Sequence, residues 1–345
     1  MTTALRPRST AELAELLRSR PGRVRVSGTG SRQHRLPDAG PATPLHVAGL
    51  DAIERLDAPD QTCSVGAGLR REVLDAELAR HGLELPLAGG GSIGGLFASD
   101  DVGAVTAGGQ APRTSVLGME AVLACGTVFR SGARVVKSVA GFDVHKLLVG
   151  SRGRLFVATT LHLRLKPRPR ASAWFLRTGL DAQSALRLFL QLRALAVPPA
   201  ALHLRVGRDG ASVSGRFAGR GSFVASMLRS HALDEGPPVT ELHLRTEAPG
   251  EVLCGIVVPS RALELLGMAP DGAPFLLHGG GRFECATGSA TATDALLGKL
   301  PTIGAHACVA QGPTARRGIG TPLDLGQQRL CEGLEKALNP HGILV

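Results

Sequence analysis

The chain has 345 residues, 43% of them hydrophobic and 20% charged. That is room for two domains, or for one domain with a large insertion, and it excludes an intrinsically disordered chain. The net charge of +10 (39 basic against 29 acidic residues) invites a nucleic-acid reading. However, the basic residues are mostly arginines spread along the whole chain, and with one Trp and no Tyr there is no basic–aromatic cluster for base stacking. The expectation is an anion-attracting surface and no nucleic-acid partner.

No apolar run approaches the roughly 20 residues of a membrane-spanning helix. Residues 1–10 carry neither a long apolar core nor a small-residue cleavage pattern, so export is not expected. The cysteines, Cys63, Cys125, Cys254, Cys285, Cys308 and Cys331, contain no CxxC pair. This argues against a zinc or iron–sulfur site and against a disulfide scaffold, so no metal site is predicted and a reduced cytoplasmic setting is expected.

In chain order, residues 10–18 read as a helix capped by Thr10, with Leu13, Leu16 and Leu17 on one face. Residues 23–27 alternate Val and Arg as a strand, and residues 61–65 are a second short strand. Residues 69–80 read as a helix with Val73, Leu74 and Leu78 inward. Residues 117–129 read as a hairpin turning at Cys125-Gly126. Asp143 can cap a short helix over residues 144–149, and residues 155–165 alternate as a strand. The stretch Lys166-Pro167-Arg168-Pro169-Arg170 is extended and helix-breaking, and it is the predicted boundary of a first domain over residues 1–170.

Beyond it, strands are predicted at 174–177, 202–206, 211–217, 252–258, 275–278, 282–286 and 306–310. Helices are predicted at 182–195, 223–232, 261–266 and 293–300. Two strand–helix–strand–strand–helix rounds predict one antiparallel sheet with helices on a face, a duplicated ferredoxin-like rhythm over residues 171–310. A last helix, 327–338, stops at Asn339-Pro340, and residues 311–345 are read as a segment returning to the first domain. The fold class is therefore α+β rather than a doubly wound sheet.

Glycine clusters carry the candidate chemistry. Ser27-Gly28-Thr29-Gly30-Ser31 follows a strand, where backbone N–H groups can converge on an anion because no Cβ blocks the approach. It is neither a GxGxxG fingerprint nor a phosphate loop ending in GK[ST]; an ordinary tight turn is the alternative. Residues 86–99, with five glycines from Gly89 to Gly95 and then Leu96-Phe97-Ala98, suit a loop running into a short helix with exposed N–H groups.

Together these clusters resemble the PCMH-type FAD-binding domain of the vanillyl-alcohol-oxidase family. The resemblance rests on SGTGS at 27–31, GGSIGG at 90–95, VLGMEAVLACGTVFRSG at 116–132 and GSRGRLFVATTLHLRLKPRP at 150–169. GARVVKSVAGFDVHKLLVGS at 132–151 is similar to the signature of the FAD-binding (E) subunit of the glycolate oxidase complex. LEKALNPHGIL at 334–344 is similar to the ending of that family. The resemblance covers about residues 8–170 and 327–345.

It implies a FAD-binding domain of two small lobes and an antiparallel cap domain. It implies FAD with its pyrophosphate held by Gly28, Thr29, Gly30, Ser31, Gly90, Ser92, Gly94 and Gly95. Ser99, Gly103, Asp143 and Val157 would approach flavin or adenosine, and Lys137 would place positive charge near the flavin. The first loop has no histidine of the kind that carries covalent flavin, which implies a non-covalent cofactor. In the exit motif Arg152, Arg154 and Phe156 replace small or apolar residues.

A hydroxyacid dehydrogenase needs a base for the hydroxyl proton and a cation for the carboxylate. No tyrosine is present, and the HxGDGNxH metal motif of related D-lactate dehydrogenases is absent. His278-Gly279-Gly280-Gly281-Arg282 is the nearest string, with His278 as candidate base and Arg282 as candidate carboxylate clamp; a glycine turn with two surface side chains is the alternative. The resemblance implies a FAD-binding subunit of a glycolate (2-hydroxyacid) dehydrogenase complex. Its partners would be a second FAD subunit and an iron–sulfur subunit, in the cytoplasm or peripheral on the inner face of a membrane. The alternatives are an independent FAD-linked oxidoreductase and a degenerate, non-catalytic assembly subunit.

Overall fold

In a computed structural model of the protein, the described residues are 4–19, 22–33, 36, 40–87, 89–99, 112–134, 142–239, 243–244 and 250–345. The first lobe joins helix α1 (Thr10–Arg18) to the parallel strands β1 (Val24–Ser27) and β2 (Thr43–His46). Leu13 and Leu17 lie one turn apart on α1 and bury against Val24, Leu45, Ile343 and Leu344. Ser9, not Thr10, caps the helix: its hydroxyl accepts from the Glu12 N–H at 3.1 Å. Thr10 instead donates to the Glu120 carboxylate at 2.8 Å. Adjacent hydroxyl residues are equivalent as caps in sequence, and tertiary contacts decide between them.

The second lobe carries β3 (Ile53–Asp57), β4 (Thr62–Gly66), α2 (Arg71–Arg80), β5 (Leu83–Glu84), α3 (Ile93–Ala98), α4 (Pro112–Ser115), β6 (Val116–Val122), β7 (Val128–Gly132) and β8 (Val157–Arg164). Its five-stranded antiparallel sheet runs β3-β4-β8-β6-β7. The hairpin β6–β7 turns where expected, with Gly126 at φ +79°. On α2, Leu74 and Leu78 are fully buried, but Val73 is 50% exposed. The buried stripe is one i, i+4 row wide, and Val73, a single residue before it, lies about 100° round the helix. Asp143 does not cap the turn that follows it; its carboxylate pairs with Lys146. The Lys-Pro-Arg-Pro-Arg stretch is extended, but it is tied down: β9 (Lys166–Pro167) pairs with β5.

The third unit begins with β10 (Ala171–Leu180), α5 (Ala182–Arg193), β11 (Ala201–Gly207), β12 (Gly210–Gly219) and α6 (Gly221–Ser230). It continues with β13 (Val252–Ile256), α7 (Ala262–Met268), β14 (Phe275–His278), β15 (Arg282–Ala286), α8 (Ala290–Lys299) and β16 (His306–Gln311). The seven-stranded antiparallel sheet runs β10-β12-β11-β14-β15-β13-β16. In both rounds the third strand inserts between the first and second. β16 flanks β13 at one edge; at the other, Glu235 bridges Phe175 and the Gly236 N–H donates to the Trp174 carbonyl at 2.9 Å.

The two-residue period of a strand divides this sheet's side chains. Leu202, Leu204, Phe217, Phe275, Leu277, Phe283 and Cys285 face the helices and form one core with Leu186, Phe189, Leu228, Leu265 and Leu296. The intervening residues, among them His203, Arg216, His278, Arg282 and Glu284, face the other way.

Helix α9 (Leu325–Leu338) leads the chain back to the first lobe, its Asp324 and Gln327 forming a reciprocal cap. Asn339 then holds the tail, donating to the carbonyls of Arg154 and Leu344 at 3.0 and 2.8 Å. Val24 donates to Ile343 at 2.7 Å, so the last residues extend the first lobe's strand pair. The α+β architecture with an antiparallel, helix-backed cap sheet is the one expected from the sequence.

Phe283 is fully buried and stacks on Phe275 at 6.1 Å between ring centroids. Phe283→Ala is expected to cost about 3–5 kcal/mol, read as a lowered urea midpoint with an unchanged denaturant slope.

Candidate flavin site

The two glycine-rich stretches meet. β1 delivers Gly28–Ser31 to one wall of a cleft, and Ser92 with the first-turn residues Gly94 and Gly95 of α3 lines the other. A Cβ on Gly28 would sit 2.0 Å from Ser92 Oγ. Gly91, at φ +82°, lies so close to the first loop that a Cβ there would be 2.5 Å from Ser31 Oγ and 2.9 Å from Arg32 Nη1. The first approach needs a residue without a side chain, and the second needs one at ease with a positive φ. The cleft and the solvent space at its mouth together span about 670 Å³. Ser99, Arg152, Phe156 and Val157 complete its walls.

The two stretches contribute differently. The Gly94 N–H is already spent on the Ala67 carbonyl at 2.7 Å, and that of Gly95 reaches Ser92 Oγ at 3.3 Å. Among the described residues, no backbone acceptor takes the N–H of Thr29, Gly30 or Ser31. The first loop therefore offers bare donors with the Ser31 and Thr29 hydroxyls and the Arg32 guanidinium beside them. The second loop offers room. A row of outward N–H groups next to a cation suits a dianionic diphosphate. The residues present thus fit the phosphate portion of a dinucleotide.

Of the other residues singled out in the sequence, Gly90 is exposed beside Glu72 and does not line the cleft. Asp143 is exposed, on its ion pair with Lys146, and also lies off the cleft. Gly103 and Lys137 fall outside the described residues. Gly91, which packs against Ser31 and Arg32 of the first loop, is not among the residues expected to hold the pyrophosphate; it belongs to the same run, in which adjacent glycines look alike. Arg152 and Arg154, departures from the family's exit motif in sequence, make contacts of their own: the Arg152 guanidinium crosses to Cys308 Sγ at 3.1 Å, and Arg154 pairs with Glu335 at 2.7 Å.

His278 and Arg282 do not line this cleft. They lie on the cap sheet's non-helix face, flanking the β14–β15 turn that the Gly281 N–H closes on the His278 carbonyl. The two-surface-side-chain alternative fails for His278, which is 1% exposed. Its Nδ1 is 2.9 Å from His203 Nδ1, so one ring donates and the other accepts. Trp174 stacks on His203, and the Arg216 guanidinium lies over the Trp174 ring. Burial pushes His203 down to about 4. Arg282 approaches the fully buried Glu284 at 4.0 Å, and Glu284 also accepts from the His243 ring and from the Leu244 N–H, both at 2.6 Å.

Comparison with known proteins agrees with this geometry. Residues 2–132 match the FAD binding domain family. The fold is shared with alkyldihydroxyacetonephosphate synthase, at TM-score 0.68 and 14% identity over 98% of this chain and 74% of that one. FAD is the cofactor.

Among particular proteins, the chain is 31% identical to D-lactate dehydrogenase of Archaeoglobus fulgidus over 179 residues, which is 48% of this chain and 39% of that protein. It is 42% identical to glycolate oxidase subunit GlcE of Escherichia coli over 74 residues, 21% of each chain. The chain spans less than half the length of these curated relatives.

Gly28→Ala is expected to lower FAD affinity at least tenfold, because the methyl group must displace Ser92 from the cleft wall; flavin fluorescence titration measures it. The burial of His203 sets a pH window. Native His203 stays neutral down to about pH 4, whereas the unfolded chain takes up a proton below about 6.5. Its contribution is complete above pH 6.5, and roughly 3 kcal/mol is lost as pH falls to 4. Urea midpoints across that range should show this slope, and His203→Gln should flatten it.

Proposed function

We propose that this chain is the FAD-binding subunit of a glycolate or related 2-hydroxyacid dehydrogenase complex. It would work with a second flavoprotein subunit and an iron–sulfur subunit. The observation that carries this reading is the glycine cradle, in which Gly28 abuts Ser92 and Gly91 abuts Ser31 around bare N–H donors. FAD, when bound, supplies the hydride acceptor.

The chain's own residues do the rest. Thr29, Gly30 and Ser31 hold the diphosphate through main-chain N–H groups, and Arg32 adds charge. Phe156 and Val157 present apolar walls that exclude water. The cofactor is held without a covalent bond: no His, Cys or Tyr is among the described residues lining the cleft. His278 is proposed as the base for the substrate hydroxyl. With its Nδ1 proton donated to His203, the lone pair sits on Nε2. Arg282 is proposed to meet the substrate carboxylate. With no CxxC motif in the chain, electrons would leave through partner subunits. No described helix is long and apolar enough to cross a membrane, and any membrane contact would be made through those partners.

One observation favours a second reading, a non-catalytic assembly subunit. His278 and Arg282 are engaged with His203 and Glu284 rather than lining the cleft.

The test is the absorption spectrum of the purified chain after FAD titration, with glycolate and D-lactate added, alone and with its partner subunits. Expected are flavin bands, FAD released intact on acid precipitation, and bleaching by a 2-hydroxyacid in the assembled complex. Bleaching in the isolated chain would instead mark an independent oxidoreductase. Bound flavin that never bleaches would mark the assembly subunit. A chain that stays colourless with no thermal shift would overturn the flavin reading.

A further inference from the structure

Cys254 and Cys308 stand directly opposite each other on β13 and β16. Their chain neighbours Leu253, Ala307 and Val309 face the helix core, so both thiols lie on the opposite face. The outer edge of β16 fixes the register. Val309 N–H donates to the Ile319 carbonyl at 2.8 Å, and Thr321 N–H to the Ala307 carbonyl at 2.9 Å. The peptide groups of 307 and 309 therefore point away from β13, and those of Cys308 point at it. Cys254 and Cys308 are thus a hydrogen-bonded antiparallel pair, with Cα atoms about 5.5 Å apart. Disulfides most often join Cα atoms about 5.5–6 Å apart with Cβ atoms about 3.5–4.5 Å apart; a hydrogen-bonded pair sits at the wide end of the roughly 4.5–5.5 Å cross-strand Cβ range, so closure draws the two strands locally together.

Placement separates this pair from the other thiols. Cys63 and Cys285 are buried, and burial pushes each up to about 12. Cys125 and Cys331 are exposed, the first in the β6–β7 turn and the second on α9. Cys254 and Cys308 are half-buried, so solvent reaches them while the sheet holds them together. A cation also reaches this pair: Arg152 donates from the flavin cleft to Cys308 Sγ.

We propose that Cys254 and Cys308 form a thiol-oxidation site, a cross-strand dithiol that closes to a disulfide by exchange with a low-molecular-weight disulfide. One cysteine sulfur, as thiolate, attacks the external disulfide; a protein–external S–S bond forms and one external thiol leaves with the proton. The second cysteine sulfur then attacks the mixed disulfide, forming the Cys254–Cys308 bond and expelling the second external thiol. The two protein sulfurs are oxidised by two electrons and the external disulfide is reduced to two thiols. The site does not depend on the flavin reading, although Arg152 places it against the same cleft.

The test uses the full chain, reduced, freed of reductant and held with oxidised glutathione, without FAD. Free thiols are counted after denaturation and the protein is peptide-mapped. Expected are the peptides bearing Cys254 and Cys308 joined to each other within one chain, whatever glutathione the exposed Cys125 and Cys331 carry. Cys254→Ser and Cys308→Ser should each trap a single glutathione adduct on the remaining partner. The proposal is overturned if Cys254 and Cys308 stay reduced in the wild-type map while Cys125 and Cys331 take up glutathione. It is overturned equally if their only cross-links join separate chains. The wild-type map carries the result whether or not the variants fold.

Discussion

Close approach between two loops, one after β1 and one before α3, is the constraint on which the cofactor site depends. Gly28 leaves no room for even a methyl group beside Ser92, and Gly91, at φ +82°, brings its backbone against the Ser31 and Arg32 side chains. Ser92 in turn caps α3, whose Leu96 and Phe97 are buried in the second lobe. A side chain inserted between the loops would therefore act on more than a turn. It would push the second lobe's core away from the first, and the cleft between them would lose its shape.

That cleft meets an anion chiefly with dipoles. Thr29, Gly30 and Ser31 present N–H groups fixed by the backbone, which pay no reorganisation when a diphosphate arrives. Formal charge is sparse at the wall, with Arg32 beside the donors and the Arg152 guanidinium turned to Cys308. The cap sheet follows a different logic. Its non-helix face buries His203, His278 and Glu284, each at no more than 2% exposure. Such groups persist only when paired. The His–His contact and the His243 and Leu244 donors to Glu284 meet that requirement, and they also fasten residues 243–244 to the sheet.

The elements were largely legible in the sequence because local patterns determine them. Strands β8 and β11 alternate apolar and polar residues over part of their length, and both the Gly126 turn and the Asn339-Pro340 stop act over a few residues. The misreadings came where a distant group decides. Thr10 lost the cap to Ser9 because Glu120, far along the chain, takes its hydroxyl. Asp143 is the local exception: a competing cation three residues on, Lys146, takes the carboxylate that could have capped the turn. For the site, the glycine runs were visible, but which of them supplies donors was not. Gly94 has its N–H consumed by Ala67, a partner no pattern announces. The burial of His278 was hidden for the same reason: its companion His203 is 75 residues away and becomes its neighbour only through the β11–β14 ladder.

The return of the tail has a consequence for how the molecule is assembled. Val24 pairs with Ile343 and Val345, and Leu13 and Leu17 bury against Ile343 and Leu344. During synthesis, domains usually form in the order they emerge. Here the lobe translated first lacks a strand and part of its core until residues beyond 340 appear. The cap, closed on itself by its own ladders, can fold while that lobe waits. Because β1 leads directly into Gly28–Ser31, the phosphate wall is among the last surfaces to take shape, so the cofactor has no finished berth on the nascent chain.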